Sequence, residues 1–545
     1  MVQVPSWLYS DELAREQSGK EAMLQNADLK PVEPARRLWS KRNFVAFWLA
    51  DSINLNTWMI IGSSVTAGLS WWEAWVATWI GYSIVAVFIC ISGRIGATYH
   101  ISFPVASRAS WGIWFSLWPI FNRGAMACVW YGVQAWLGGQ CFVLMFRSMA
   151  LSYNDIGTNN LDSGRLGTRD FVGFFLFWLV SLIFIYPPVH KIRHLFTVKA
   201  IVVPIAGLLF MVWALVKAGG IGPVVHQKGT LTGSTRGWAW VTSIMACVSN
   251  FATLIVNNPD FTRFARKPSS AFYPQLITIP CGFAITCFVG VIVGSASENI
   301  YGEKLWNPLD LLSRMLDNNP SSATRAGVWF IALAFALAQL GVNIAANSVS
   351  AGSDLTAVLP RFLNIRRSGY ICAIVGLLIK PWILVSDSST FTTYLSAYST
   401  FLSSIAGVIF ADYYIVRKGY LKVDDLYSGD HRGAYYFWNG INWRAAVAYV
   451  CGVAINIGGF ADAVGVKGIP NGVVKMYTLN FFLGLGLSMV IYTGLCKLSP
   501  IPACGDKWPS EVHDYIDAVD EGSDELEKYG SAEKAPQSQV QSYAT

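Results

Sequence analysis

Four side chains in two apolar stretches are spaced to hold a flat, uncharged ring. Trp130 and Gln134 lie four residues apart in one stretch, and Asn343 and Asn347 lie four apart in another. Residues four apart share a helix face. An indole offers a stacking surface, and a primary amide offers one acceptor and two donors. Together they suit a small heterocycle with alternating amide N–H and C=O. They suit an amino acid less well, since no mid-depth cation stands ready for a carboxylate. They suit a sugar less well too, since a sugar calls for more acids and amides. Phe251 is placed to close the other side of an aromatic sandwich, and Asn54 and Asn250 add amides at similar depth.

The elements that position these groups are membrane helices. The hydrophobic fraction is 53%, the charged fraction 13% and the mean hydropathy +0.41. A soluble domain carries about 25% charged residues. About twelve apolar stretches run at 44–69, 73–93, 117–147, 170–188, 195–218, 237–258, 274–296, 326–352, 369–386, 390–415, 443–463 and 478–498. Most are near the ~20 residues a spanning helix needs, and none shows the two-residue alternation of a barrel strand. The chain thus reads as an all-α polytopic membrane protein of about 12 transmembrane helices. Gly81, Gly93, Gly96, Gly132, Gly138 and Gly139 allow close helix approach.

No secretory signal is visible in the polar first forty residues, so the N-terminus is expected in the cytosol. Arg36, Arg37, Lys41 and Arg42 precede span 1. Lys191, Arg193, Arg263, Arg266, Lys267, Arg361, Arg366, Arg367, Arg417, Lys418 and Lys422 all fall in loops on the same side. The positive-inside rule makes both termini cytoplasmic. The net charge of +7 reflects those loops and is no nucleic-acid signal. The ten cysteines form no Cys-x-x-Cys pair and read as small core residues, so no metal site and no cofactor are expected.

Two spans are polar at their centres. Span 1 carries Asp51-Ser52-Ile53-Asn54-Leu55-Asn56-Thr57, and span 6 carries Ser249 and Asn250 before Asn257-Asn258-Pro259-Asp260. Interrupted helices at matching places in two halves point to a transporter binding site. Spans 1–5 and 6–10 then form two repeats. An odd number of spans per repeat inverts the second against the first.

Several stretches are also familiar as a family pattern. They are Phe47 to Ser52 with Asn56-Thr57-Trp58, Gly93 to His100 with Phe103-Pro104, Ala127 to Trp136, and Asn258 to Phe264. Asn343 to Ser350 and Asp412-Tyr413-Tyr414 add to them. In these the chain resembles nucleobase–cation symporter family 1, in its fungal branch of uracil and allantoin permeases, from Pro31 to about Leu498. The resemblance implies the five-plus-five inverted repeat of the leucine transporter, with discontinuous helices 1 and 6. It implies substrate contacts at Trp130, Gln134 and Asn347. The family's span-6 aromatic, a Trp in a bacterial hydantoin relative, falls on Phe251, which implies a different ligand preference.

A sodium version of that fold uses span-1 carbonyls, here of Ala50 and Ile53, and span-8 groups, here Ala338, Gly341 and Val342. The last two lack the expected hydroxyls. Sodium coupling is thereby weakened and proton coupling favoured. Asp51 is the leading proton carrier, with Asp260 and Asp354 as alternatives nearer span ends. Lys199 and Lys380 also lie in apolar surroundings, and each either pairs with an acid or snorkels.

Leu395 and Phe401 in span 10 are gate candidates. Trp39, in an arm expected to latch onto loops such as that of Lys191 and Arg193, is a third. The acidic tail from about Gly505 reads as disordered, and Lys528 and Lys534 within it are possible targets of ubiquitin-ligase machinery. The expected organisation is an N-terminal arm (1–43), a ten-helix transport core (44–415), accessory helices 11 and 12 (416–498) and a tail (499–545). No phosphate loop, metal pair or nucleophile elbow appears, which argues against a primary pump and an enzyme. The expected activity is proton-coupled uptake of uracil, allantoin, uric acid or a related nucleobase or ureide across the plasma membrane. The alternatives are a channel or facilitator for small polar solutes, or an amino-acid carrier on the same fold.

Overall fold

A computed structural model describes residues 10, 19–24, 26, 28–157, 161–187, 193–386 and 388–508. Every regular element among them is helical, and the only β-pairing is three isolated bridges. The order is α1 (Gly19–Leu24), α2 (Lys41–Ser52), α3 (Leu55–Thr66), α4 (Trp71–Tyr99), α5 (Phe103–Trp111), α6 (Leu117–Met149), α7 (Thr168–Ile185) and α8 (Arg193–Ala218). Then come α9 (Gly233–Asn250), α10 (Ala252–Asn257), α11 (Pro259–Thr262), α12 (Pro268–Tyr301), α13 (Pro308–Asn318) and α14 (Ser322–Val342). A π-helical turn (Asn343–Val349) joins α14 to α15 (Ser350–Val358). The chain continues through α16 (Ile365–Leu378), α17 (Pro381–Leu384), α18 (Ser388–Phe410), α19 (Trp443–Ala463), α20 (Asn471–Tyr477) and α21 (Asn480–Leu498).

Each of the twelve apolar stretches falls on helix. By length and composition, eight of the described helices can cross a membrane, or nine if the bent pair α2 and α3 is one span. The difference from twelve has physical causes. Helix α6 carries Arg123, Gln134, Gln140 and Arg147 along its length, and α9 opens on the polar run Gly233-Ser234-Thr235-Arg236. Helix α16 is only 14 residues long and stops before Lys380, whose φ of 54° and following Pro381 end it. The side chain of Lys380 pairs with Asp162 at 2.5 Å, and Trp382 donates to the same carboxylate at 3.0 Å. Of the two readings the sequence left open for Lys380, pairing is the observed one.

The helices interlock at small residues. Gly96 of α4 faces the backbone of Pro259, where an added Cβ would lie 2.6 Å from its Cα. Gly132 of α6 faces the Gly376 carbonyl of α16 in the same way, at 2.5 Å. Substitution at either glycine would push two helices apart.

The N-terminal arm is docked. Lys191 lies outside the described residues. The observed partner is the stretch after α11: Trp39 N–H donates to the Phe264 carbonyl at 2.9 Å, and Arg266 N–H returns to Trp39 at 3.1 Å. The Trp39 ring packs on Phe44, Phe47, Phe196 and Phe264 at 5.2–6.5 Å. Nearby, His100 ends α4 in the left-handed region and bonds through Nδ1 to the Arg263 carbonyl at 2.9 Å. Burial, with the Arg37 charge as a second cause, holds its imidazole down at about 4, hence neutral.

Candidate functional site

The break between α2 and α3 bends the chain by 52°. Most of its polar groups are engaged with one another, while the buried Asn56 keeps its Oδ1 open. Asn54 caps α3, its Oδ1 accepting from Thr57 N–H at 3.1 Å, and its Nδ2 donates to the Asp51 carbonyl at 2.7 Å. Thr57 Oγ1 donates to the Ser52 carbonyl at 3.1 Å. A cap of this kind satisfies backbone groups that a helix end leaves open. Asn54, expected to touch substrate, has both ends of its amide occupied by the break itself.

The break in the sixth stretch is slighter. One residue, Phe251, leaves helical geometry, with φ −100° and ψ 1°, and its N–H still reaches the Val248 carbonyl at 3.1 Å. It is supported from outside. Tyr398 of α18 donates to the Ser249 carbonyl at 2.8 Å. The Phe251 ring meets Phe283 at 5.1 Å, Tyr82 at 5.7 Å and Trp48 at 6.0 Å. These three rings surround it. Asn250 donates to the Tyr82 hydroxyl at 3.3 Å.

The α6 face and the π turn pack against each other, and α18 packs against α6 and α10. Trp130 is buried, with Phe391, Tyr394 and Tyr398 of α18 around it at 5.9–6.3 Å. Gln134 is buried, and its Oε1 has no hydrogen-bond partner among the described residues. Asn347 Nδ2 donates to Asn343 Oδ1 at 3.1 Å, which leaves Asn343 Nδ2 without a partner. Gln339, fully buried and four residues earlier on the same helix, has both amide atoms open. A wide turn of π helix at such a place is frequent at functional sites. The wall therefore presents two open amide acceptors, Gln134 Oε1 and Gln339 Oε1, and two open amide donors, Asn343 Nδ2 and Gln339 Nε2, on elements packed against each other. A cavity of about 510 Å³ lies between the arm, at Asp28 and Arg36, and the π turn, at Ile344 and Ser348.

Two buried charge groups flank this wall. Lys199 of α8 is the cationic neighbour of Asp51. Its stem passes over Gly341, where an added Cβ would lie 2.8 Å from Lys199 Cδ, and its Nζ has no hydrogen-bond partner among the described residues. Gly341 thus makes room for an ammonium where a hydroxyl had been looked for. Arg123 of α6 pairs with Asp354 of α15 at 2.6 Å and lies 3.8 Å from Asp260 of α11. Asp260 also accepts from Ser353 Oγ at 3.0 Å and from Phe103 N–H at 2.9 Å. Of the gate candidates, Leu395 is fully buried, while Phe401 meets Phe460 of α19 at 5.6 Å and so faces the accessory helices.

Reading the sequence missed the π turn, Gln339 and Arg123. The turn has no signature in residue types. Gln339 had one, its place four residues before Asn343, and an arginine inside a spanning stretch is itself a functional flag. No group of His, Cys, Asp and Glu among the described residues could hold a metal ion.

A bundle of membrane-crossing helices, with a broken first helix and a buried wall of open amides, is the build of a solute transporter. The chain belongs to the family described as permease for cytosine/purines, uracil, thiamine, allantoin, which matches residues 31–484. It is a multi-pass membrane transporter and not an enzyme.

Several of its relatives are fungal. It is 52% identical to an uncharacterised permease of Schizosaccharomyces pombe, over 95% of this chain and 88% of that one. It is 48% identical to the allantoin permease and 46% identical to the uracil permease of Saccharomyces cerevisiae, each over 89% of this chain and 77% of the other. Among solved structures it is similar to Mhp1, a nucleobase-cation-symport-1 family transporter, in a closed conformation with bromovinylhydantoin bound. The TM-score is 0.72 at 22% identity, covering 90% of this chain and all of that one. A Na+-coupled sialic acid symporter gives a TM-score of 0.58 at 14% identity, over 89% and 94% of the two chains. The fold is thus leucine-transporter-like, as the family resemblance implied.

Proposed function

We propose that this permease takes up uracil, allantoin, uric acid or a closely related nucleobase or ureide, coupled to protons, by alternating access. The observation that carries the reading is the pairing of open groups. Gln134, one turn from Trp130 on α6, keeps an open acceptor, and Asn343 and Gln339, on the π turn and α14 that pack against α6, keep open donors. A ring amide offers an N–H to the first and a C=O to the second, while its flat face stacks on the indole. Burial makes those open groups costly to leave empty, about 1–3 kcal/mol each, which favours a ligand that satisfies them. The names of the two yeast relatives support the same substrate class.

In this reading the chain has twelve spans, spans 1–5 and 6–10 forming the two inverted repeats. Both termini face the cytoplasm and the permease sits in the plasma membrane. Trp130, Gln134, Asn343 and Asn347 contact substrate directly, and Phe251 with Asn250 shapes the break below it. Tyr398 ties the indole to that break, so movement of α18, with Leu395, gates the chamber. Trp39 holds the arm across the opposite exit. Asp51 carries the proton. Lys199 answers its charge, occupying the region where a sodium-coupled relative would hold its ion, which supports proton over sodium coupling. The Arg123–Asp354–Asp260 cluster is the alternative carrier. The tail beyond Trp508, with its ubiquitin-acceptor candidates Lys528 and Lys534, lies outside the described residues.

The test is uptake of radiolabelled uracil and allantoin in a permease-null cell, competed by a panel of purines, pyrimidines and hydantoins, with and without an uncoupler. The reading expects competition by flat ring amides and loss of accumulation with the uncoupler. Uncoupler-insensitive uptake would mark a facilitator instead, and competition by amino acids alone an amino-acid carrier.

A further inference from the structure

We propose that a cavity at the arm-side end of α4 and α12 binds the headgroup of an anionic phospholipid. It is separate from the solute chamber. Its volume is about 320 Å³, and Arg94, Thr98, Ser269 and Gln275 line it together with Phe272 and Trp508. None of its lining residues is acidic.

Arg94 is the centre of the argument. It is exposed and makes no ion pair among the described residues, and its guanidinium lies 4.8 Å from the centroid of the Trp508 ring. A guanidinium is planar, permanently charged and shaped for two-pronged contact with a phosphate. Thr98 and Ser269 add neutral hydroxyls around it. The site is built to receive negative charge, and none of the described residues that line it supplies any.

The apolar surroundings say which anion. Ile80, Val87 and Arg94 are spaced by seven residues, so they lie on one face of α4. Ile80 and Val87 are 41% and 47% exposed. On α12, Tyr273 and Ile277 are 56% and 60% exposed. Two outward apolar stripes therefore run along the helices toward the cavity, a path for acyl chains that ends at a guanidinium. Arg266 and Lys267 directly precede α12, and Lys418 lies beside the lining residue Gly419. Basic residues at such a membrane face attract the anionic lipids of the cytoplasmic leaflet. A free phosphate would use the guanidinium and leave the stripes idle; a phospholipid uses both.

Trp508 is the rim of the site. Its ring packs on Tyr414 at 5.6 Å and Tyr413 at 6.1 Å, over Gly419, where an added Cβ would lie 2.2 Å from the indole. This gives the control. Were Arg94 only an anchor for Trp508, removing either residue would have the same effect.

The experiment uses the full chain, purified in a neutral detergent. Thermal unfolding is followed with added phosphatidylserine, phosphatidylcholine, inorganic phosphate or glycerophosphoserine, and native mass spectrometry counts retained lipid. The expected result is a higher midpoint, and one retained lipid, with phosphatidylserine than with phosphatidylcholine. The two soluble anions should have no effect. Arg94→Gln should erase the preference while keeping the phosphatidylcholine midpoint, Arg94→Lys should keep part of it, and Trp508→Ala should keep it. Equal response of the unmodified protein to both lipids would overturn the proposal without any variant. So would persistence of the preference in Arg94→Gln, its equal loss in Trp508→Ala, or its reproduction by a soluble anion.

Discussion

The break between α2 and α3 and the wall formed by α6 and the π turn are both polar and buried, yet their hydrogen bonds go to different places. At the break, Asn54, Thr57 and the Asp51 and Ser52 carbonyls satisfy one another within seven residues, and one amide oxygen, Asn56 Oδ1, is left open. At the wall, Gln134, Gln339 and Asn343 keep buried amide atoms open. Polar groups closed on themselves hold a shape, and polar groups left open wait for a partner. The difference separates residues that build the site from residues that read the solute, although both kinds look alike as amides in an apolar stretch.

Substitutions can break or sharpen this contrast. The largest effect is expected outside both regions, at the ion cluster beneath the wall. Arg123→Gln leaves Asp354 and Asp260 buried without their cation, and losing one partner of such a group costs about 3–5 kcal/mol. Folded, surface-localised protein should fall sharply, as size-exclusion profiles of a tagged chain would register.

Asp51→Asn comes next. The cap uses the Asp51 backbone carbonyl, which asparagine retains, so the break should survive while acid-stimulated uptake is lost. Uptake measured against external pH checks this, and an unchanged profile would move the proton to Asp354 or Asp260.

Gln134→Ala removes an open acceptor. A buried hydrogen bond of about 1–3 kcal/mol corresponds to a roughly 5- to 150-fold loss of affinity, with the transporter still at the surface. Uptake kinetics beside surface fluorescence separate the two. Asn54→Ala should do the opposite, lowering stability by about 0.5–2 kcal/mol, the worth of a helix cap, with a smaller change in affinity. Thermal unfolding of the purified protein reads it.

The sequence revealed more of the wall than of its surroundings. Trp130, Gln134, Asn343 and Asn347 were legible because helical spacing puts each pair on one face, and the structure buries all four. The break at Asn54 was legible because five polar residues in seven cannot face lipid. The role of Asn54 was not, since an amide that caps and an amide that binds have the same letters. Phe251 was legible as an aromatic at the sixth-span break, while its ring neighbours Trp48, Tyr82 and Phe283 come from elements whose approach only packing decides. Phe401 belonged to a run of bulky residues, and its partner Phe460 lies on another helix. Gly341 read as a missing sodium ligand, and only the path of Lys199 across it explains the absent side chain.

The most direct test of the account is equilibrium binding of uracil and allantoin to purified protein, with the unfolding midpoint measured on the same samples, for Gln134→Ala and Asn343→Ala beside Asn54→Ala. The account predicts weakened binding at an unchanged midpoint for the first two, and a lowered midpoint with nearly unchanged binding for the third. Full affinity in Gln134→Ala and Asn343→Ala would contradict it, because the open amides would then not be what holds the solute.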